Sequence, residues 1–186
     1  MDKILEEMKK AGRQAFRTRE YAALLGKPDY ARIVLHRLNK KGEIFKIKNG
    51  HWAFAEAQIE AIACEMSKPS YVSFHSALYL HRLTTQIPLK VQLAVARNAK
   101  KYRIKKEAVQ EYRIPVLSFN HATIKNEGGI IIATPEQAFA DCLLIKRSCP
   151  AIILIEAKAS IKIDEVKKML ENSKAGTKRL KAILNA

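Results

Sequence analysis

The 186-residue sequence predicts an α+β protein in two parts: a helical segment closed by a hairpin, then a mixed α/β region around a small sheet. Three observations predict it. Residues 1–55 carry three helical periodicities followed by two alternating runs around Asn49-Gly50. Residues 56–186 interleave strand-length apolar runs with helical patterns. Hydrophobic residues make up 48% and charged residues 28%, which allows packed cores and argues against whole-chain disorder.

In the first part, Ile4, Leu5, Met8 and Ala11 recur at helical spacing, and Gly12 ends the run. Thr18 reads as the N-cap of a short helix through Leu25, buried through Ala22 and Leu25, with Gly26 closing it. Pro28 suits the first position of a third helix reaching about Lys41. At 100° per residue, Ala31, Val34, Leu35 and Leu38 share its inner face. Asp29, Ile33, His36 and Lys40 lie opposite, flanked by Tyr30, Arg32 and Arg37. Glu43–Lys48 and His51–Phe54 alternate on either side of Asn49-Gly50, a hairpin signal.

Helix, short helix, turn, helix and basic hairpin make a winged helix-turn-helix over residues 1–55. Such a third helix fits a major groove. The candidate DNA-binding residues are Arg17 and Arg19 at the start of the second helix, and Tyr30, Arg32, Ile33, His36, Arg37 and Lys40 on the third. Lys46, Lys48, Asn49 and His51 on the hairpin complete the set. Arg13 precedes the second helix as a further basic residue. The competing reading is a winged helix used for protein contacts, with a merely solvated outer face. Ile33 suits a thymine methyl or is a lone surface aliphatic.

Residues 56–186 form the second domain. Ala57–Ser67 reads as a connecting helix broken at Lys68-Pro69. Ser73 is placed as the cap of a helix Phe74–Leu83. Val91–Ala96, Arg113–Ser118 and Gly129–Thr134 read as strands, with Pro115 marking an edge or a bulge. Gly128-Gly129 reads as a turn, and Ala151–Ile155 is an apolar run of strand length. Thr134 as N-cap, Pro135 at the first position and Gln137 at the third form a capping box. The helix they open runs to about Lys146 and is apolar nearly all round, interrupted by Asp141. A lone carboxylate there predicts burial with hydrogen-bond donors, so Thr134, Gln137 and Asp141 are assigned structural roles. Helical patterning returns at Asp164–Leu170 and Thr177–Leu184.

Charge narrows the function classes. Lys and Arg total 34 against 18 Asp and Glu, a net charge of +16, which draws polyanions. The excess is +7 over residues 1–55, +6 over 56–126 and +3 over 127–186. A second basic run, Arg97, Lys100, Lys101, Arg103, Lys105 and Lys106, is a candidate further nucleic-acid contact or a solvated loop. No apolar run reaches the ~18 residues of a membrane span, and the N-terminus has no signal-peptide core. Cys64, Cys142 and Cys149 are an odd count without CxxC, expected as reduced thiols in a cytoplasmic protein.

Catalytic chemistry finds little support. Glu156 and Lys158 after an apolar run, with Asp141, would suit a metal-dependent nuclease only if that run were a strand, and it also reads as a helix. His75 and His81 are six apart and do not share a helix face. His121, Cys142 and Cys149 add no paired metal-ligand spacing. Ser73, His75 and Ser76 lack a nucleophile elbow, and no Gly-rich phosphate loop is present. The expectation is a non-enzyme with no cofactor and no metal.

The order of motifs resembles a known family. After the hairpin ending Gly50–Phe54 come Ser73–Leu83, Gln86-Ile87-Pro88, the run Val91–Ala96 and Ala133–Asp141. Together these resemble the AbiEi antitoxins of type IV toxin–antitoxin abortive-infection systems, over roughly residues 15–145. The resemblance implies an N-terminal domain that binds double-stranded operator DNA and represses its own operon. It also implies a C-terminal domain that counters a nucleotidyltransferase-like toxin without need of a stable complex. The alternative is an RNA- or protein-binding adaptor on the same folds.

Overall fold

The computed structural model describes residues 2–119, 122–125 and 130–186. The Gly128-Gly129 turn and His121 lie outside the described residues. The chain divides into two compact units, residues 1–66 and 67–186.

In the first unit, α1 (Lys3–Lys10) starts at Asp2, whose Oδ1 accepts the N–H groups of Ile4 and Leu5 at 3.0 and 3.2 Å. Then follow β1 (Ala15–Arg17), α2 (Thr18–Leu25), α3 (Pro28–Lys40), β2 (Ile44–Lys48), β3 (His51–Phe54) and α4 (Ile59–Met66). The strands form an antiparallel sheet in the order β1-β3-β2. Leu5, Met8, Phe16, Tyr21, Leu35, Leu38, Ile44, Trp52 and Phe54 make its core. The inner face of α3 matches its periodicity: Ala31, Leu35 and Leu38 are buried and Val34 is half-buried. Gly26 between α2 and α3 has φ +69°, a conformation that favours glycine.

Three expectations in this unit are corrected. Thr18 is not the N-cap of α2; it is the first helical residue, and Arg17 holds the cap position. The buried anchor of α2 is Tyr21, whereas Ala22 and Leu25 are only half-buried. The compact unit ends at Met66 rather than Ala55 because Glu65 of α4 binds back to β1 and the residues before it. Glu65 pairs with the Arg13 guanidinium and accepts the N–H groups of Gln14 and Ala15 at 2.7 and 3.0 Å.

The second unit contains β4 (Ser70–Val72), α5 (Phe74–Leu80), β5 (Val91–Val95), β6 (Lys101–Ile104), β7 (Glu107–Arg113), β8 (Thr123–Lys125) and β9 (Ile131–Ala133). Helices α6 (Pro135–Leu144), α7 (Ala151–Ala157), α8 (Ile163–Met169) and α9 (Lys174–Leu184) follow. Its six-stranded sheet runs β6-β7-β5-β4-β9-β8, with β5/β7 and β4/β9 parallel and the other pairs antiparallel. Helix α6 packs against α5, α8 and α9 and is buried along nearly its whole length. The two sheets and the helices that accompany them make a mixed α+β protein. No helix of the described residues is long and apolar enough to cross a membrane.

Here too the structure departs from the sequence reading. The strand expected at Arg113–Ser118 lies earlier, as β7, and Pro115 leads into a 3-10 turn at Val116–Ser118. Proline lacks the N–H a ladder needs. The apolar run Ala151–Ile155 is helical, within α7. Ser73 stands at the N-cap position of α5, but its hydroxyl donates to Asp141 instead of capping. Thr134 does cap α6, accepting the Gln137 N–H at 3.3 Å. The Gln137 side chain does not reach back to Thr134; its amide donates to Asp141 Oδ1 and the Ser118 carbonyl.

Candidate nucleic-acid interface

Helical phase divides the outer surface of α3. Arg32 and His36 are four apart and share one side, whereas Tyr30 and Arg37 are seven apart and share another. All four are exposed, as are Ile33 and Lys40.

On the first side, Arg32 joins Arg17 and Arg19 from the start of α2, and Gly50 and His51 from the hairpin, around one open depression. Ala22, Ala23, Gly26 and Pro28 complete its floor, and among the described residues none lining it is acidic. Three arginines, from the end of β1, from α2 and from α3, thus line one concave surface. The hairpin is held there by specific bonds. Thr18 N–H donates to the Gly50 carbonyl at 2.9 Å, and the Trp52 indole N–H donates to Thr18 Oγ1 at 2.9 Å. His36 stands edge-on to the Trp52 ring, with centroids 5.8 Å apart. Arg17 and His51 are cross-strand partners in β1 and β3. Trp52 therefore links the hairpin to both α2 and α3.

The second side is less basic. Arg37 Nη1 donates to the Tyr30 hydroxyl at 3.4 Å, in a smaller depression that Asp2, Lys41 and Glu43 also line. Glu43 Oε2 is enclosed without a hydrogen-bond partner. Two carboxylates line that depression with Arg37 and Lys41, so the structure does not group Arg37 and Tyr30 with Arg17, Arg19 and Arg32. Lys40, Lys46, Lys48 and Asn49 are exposed and line neither depression. Arg13, counted with the basic residues in the sequence, is occupied by Glu20 and Glu65.

In the second unit, Arg97 drops out of the basic run. Its guanidinium forks onto the buried Glu111 at 2.9 and 3.0 Å and also donates to the Ser67 carbonyl. Glu111 further accepts from the Ser67 hydroxyl and the Lys100 N–H. Lys100, Lys101, Arg103, Lys105 and Lys106 remain exposed, Lys100 just before the edge strand β6, Lys101 and Arg103 on it, and Lys105 and Lys106 in its turn into β7. Cationic side chains on an edge strand also discourage pairing with another chain's strand.

Asp141 is fully buried and accepts from Ser73 Oγ at 2.6 Å, Gln137 Nε2 at 2.7 Å and the Tyr71 hydroxyl at 3.1 Å. Burial raises its carboxyl to about 7, opposed by these three donors. The donors are hydroxyls and an amide, not a cation, and they tie α6 to β4 and to the start of α5. Glu156 sits elsewhere, on α7, accepting from the Thr84 hydroxyl and the Thr85 N–H at 2.7 and 3.1 Å. Because α7 is a helix, Glu156 and Lys158 do not share a face, and the nuclease geometry is not formed. His75 and His81 each bond a backbone carbonyl, of Gln86 and Ala133 respectively. No group of three or more metal-ligating side chains occurs among the described residues.

The sequence reading missed Thr18, Trp52 and Glu65 as the residues that position this surface. Their hydrogen-bond partners lie 32 to 52 positions away along the chain, beyond any local pattern.

No family model matches the chain, and no curated protein matches it. Among solved structures, it is similar to the crystal structure of the RV2827C protein from Mycobacterium tuberculosis. The TM-score is 0.61 at 16% identity, covering 98% of this chain and 75% of that one. At that identity the likeness concerns the fold.

Proposed function

We propose that this protein is a DNA-binding transcriptional regulator whose first unit is a winged helix-turn-helix, with α3 as the reading helix and the β2–β3 hairpin as the wing. The observation that carries the reading is the depression where Arg17, Arg19, Arg32 and His51 meet without an acidic neighbour among the described residues. A phosphate backbone is the polyanion that a depression lined by three arginines suits, and the exposed side chains of α3 are then placed for base edges. Arg32 and His36 are the first candidates for base contacts, with Ile33 beside them for a thymine methyl. Lys40, Lys46, Lys48 and Asn49 extend the contact to flanking phosphates, and Tyr30 and Arg37 stand at its margin. Lys100, Lys101, Arg103, Lys105 and Lys106 are a secondary phosphate-contacting set.

The resemblance to AbiEi antitoxins extends the proposal: the protein represses its own operon and its second unit counters a nucleotidyltransferase-like toxin. It acts without catalysis. The test is binding of the purified protein to its own upstream DNA and to random DNA, at two salt concentrations. Preference for the upstream sequence at both concentrations supports the reading; equal affinity for both DNAs removes it.

A further inference from the structure

Cys142 and Cys149 play no part in the proposed DNA contact. Cys142 lies in the last turn of α6, and Cys149 immediately precedes Pro150, the N-cap of α7. Both are free thiols and both are buried, at 1% and 7% exposure. The two thiols interact electrostatically, and both line an open cleft of about 430 Å³ walled by Leu154 and Ile183. Arg179 and Lys146 line the same cleft, so among the described residues its charged side chains are cationic. Arg179 is anchored there by bonds to the carbonyls of Leu143 and Leu144.

We propose that Cys142 and Cys149 are a dithiol site that hydrogen peroxide converts to an intramolecular disulfide. Two cysteines that line one cleft and interact with each other are placed to form a bond of about 2.0 Å. The cleft admits a small oxidant, and its two cations favour the negative charge that develops on peroxide oxygen. Cys149, the more exposed of the pair, attacks first. Its thiolate sulfur bonds one peroxide oxygen, the O–O bond breaks, and hydroxide leaves, giving a Cys149 sulfenic acid. Cys142 sulfur then bonds Cys149 sulfur, the S–OH bond breaks, and the Cys142 proton leaves with the hydroxyl as water. Two thiols are oxidised by two electrons and one peroxide is reduced to two waters. Burial holds the Cys142 thiol protonated, so it does not initiate, and its proton passes to the leaving hydroxyl only as the disulfide forms. The disulfide joins the end of α6 to the start of α7.

Cys64, on α4 in the other unit, is the internal reference. The reduced full-length protein is exposed to hydrogen peroxide, quenched with catalase, denatured and alkylated, then mapped by mass spectrometry. The expected result is a linked Cys142–Cys149 peptide, two hydrogens lighter than the reduced pair, with Cys64 still alkylated. Cys142→Ala is expected to leave Cys149 as a sulfenic acid trapped by dimedone, and Cys149→Ala to leave Cys142 unlabelled. The wild-type map alone decides the matter if either variant fails to fold. Retention of all three thiols, after a dose that fully oxidises glutathione in a parallel tube, overturns the proposal. So does conversion of either cysteine to sulfinic acid without the linked peptide.

Discussion

The indole N–H of Trp52 donates to the hydroxyl of Thr18 across 2.9 Å, joining the hairpin to the first residue of α2. Trp52 is otherwise buried, so this is where its polar end is satisfied. The same indole meets the His36 ring of α3. One side chain thereby fixes the hairpin against both helices that line the basic depression.

Thr18→Val keeps the shape of the side chain and removes the acceptor. The buried indole N–H is then unpaired, at a cost of about 1–3 kcal/mol. Thermal unfolding is expected to show a lower midpoint, and operator affinity to fall with it as the hairpin loses its position. An unchanged melting temperature would show that the bond does not hold the hairpin.

Arg32 and Arg37 separate the two sides of α3. Arg32→Ala is expected to weaken binding to upstream DNA by about 1–3 kcal/mol if its contact is bidentate. Arg37→Ala, beside Asp2 and Glu43, is expected to weaken it less. Fluorescence anisotropy on the two variants checks this; a larger effect at Arg37 reverses the assignment of the reading side.

The end of the first unit is testable by truncation. A fragment of residues 1–66 keeps Glu65 and its bonds to Arg13, Gln14 and Ala15; a fragment ending at Ala55 lacks them. The longer fragment is expected to unfold cooperatively and keep operator preference, and the shorter to melt lower. Relative to the full chain, the longer fragment also lacks the cations of β6. Its slope of log K against log salt should be shallower by about 0.9 for each phosphate that those cations neutralise in the full chain. Equal slopes would show that Lys100 to Lys106 touch no phosphate.

Asp141 makes stability depend on pH. Its folded-state carboxyl is raised from 3.8 to about 7, so the folded state binds a proton more tightly than the unfolded chain does. The resulting stability is present in full below about pH 4 and is lost as pH rises through 7. Between pH 5 and pH 8 the loss from this group is on the order of 3 kcal/mol. Urea unfolding at the two pH values should therefore show a larger difference for wild type than for Asp141→Asn. Identical differences would place the titration elsewhere.

Glu111 is the buried anchor of Arg97. Glu111→Ala leaves that guanidinium without its forked partner, strips the Lys100 N–H of its acceptor and leaves the Ser67 hydroxyl only the Tyr102 hydroxyl. A destabilisation of about 3 kcal/mol is expected, below the upper range for buried pairs because Arg97 is partly exposed. Lys101→Ala and Arg103→Ala, on the exposed row of β6, should leave the melting temperature unchanged, which calorimetry of the three variants would check.

Where a pattern is local, the sequence by itself determined the element. The inner face of α3 follows from Ala31, Leu35 and Leu38 at helical spacing, the hairpin from Asn49-Gly50, and the start of α6 from Thr134-Pro135. Each rests on interactions within a turn or two of chain, which residue type and spacing encode. Tertiary structure alone decided the rest. Strand β1 is three residues long and exists because Phe16 pairs with Trp52, far along the chain. Ala151–Ile155 has the length and apolarity of a strand, and periodicity cannot separate a buried strand from a buried helix over so few residues; packing in the second unit made it helical. Glu111 claimed Arg97 from the basic run through parallel pairing of β5 and β7, and Glu65 claimed Arg13 from α4. Composition counts those arginines as free charge. Only the fold, by bringing a desolvated carboxylate within hydrogen-bond reach of each, determines which cations remain for a partner.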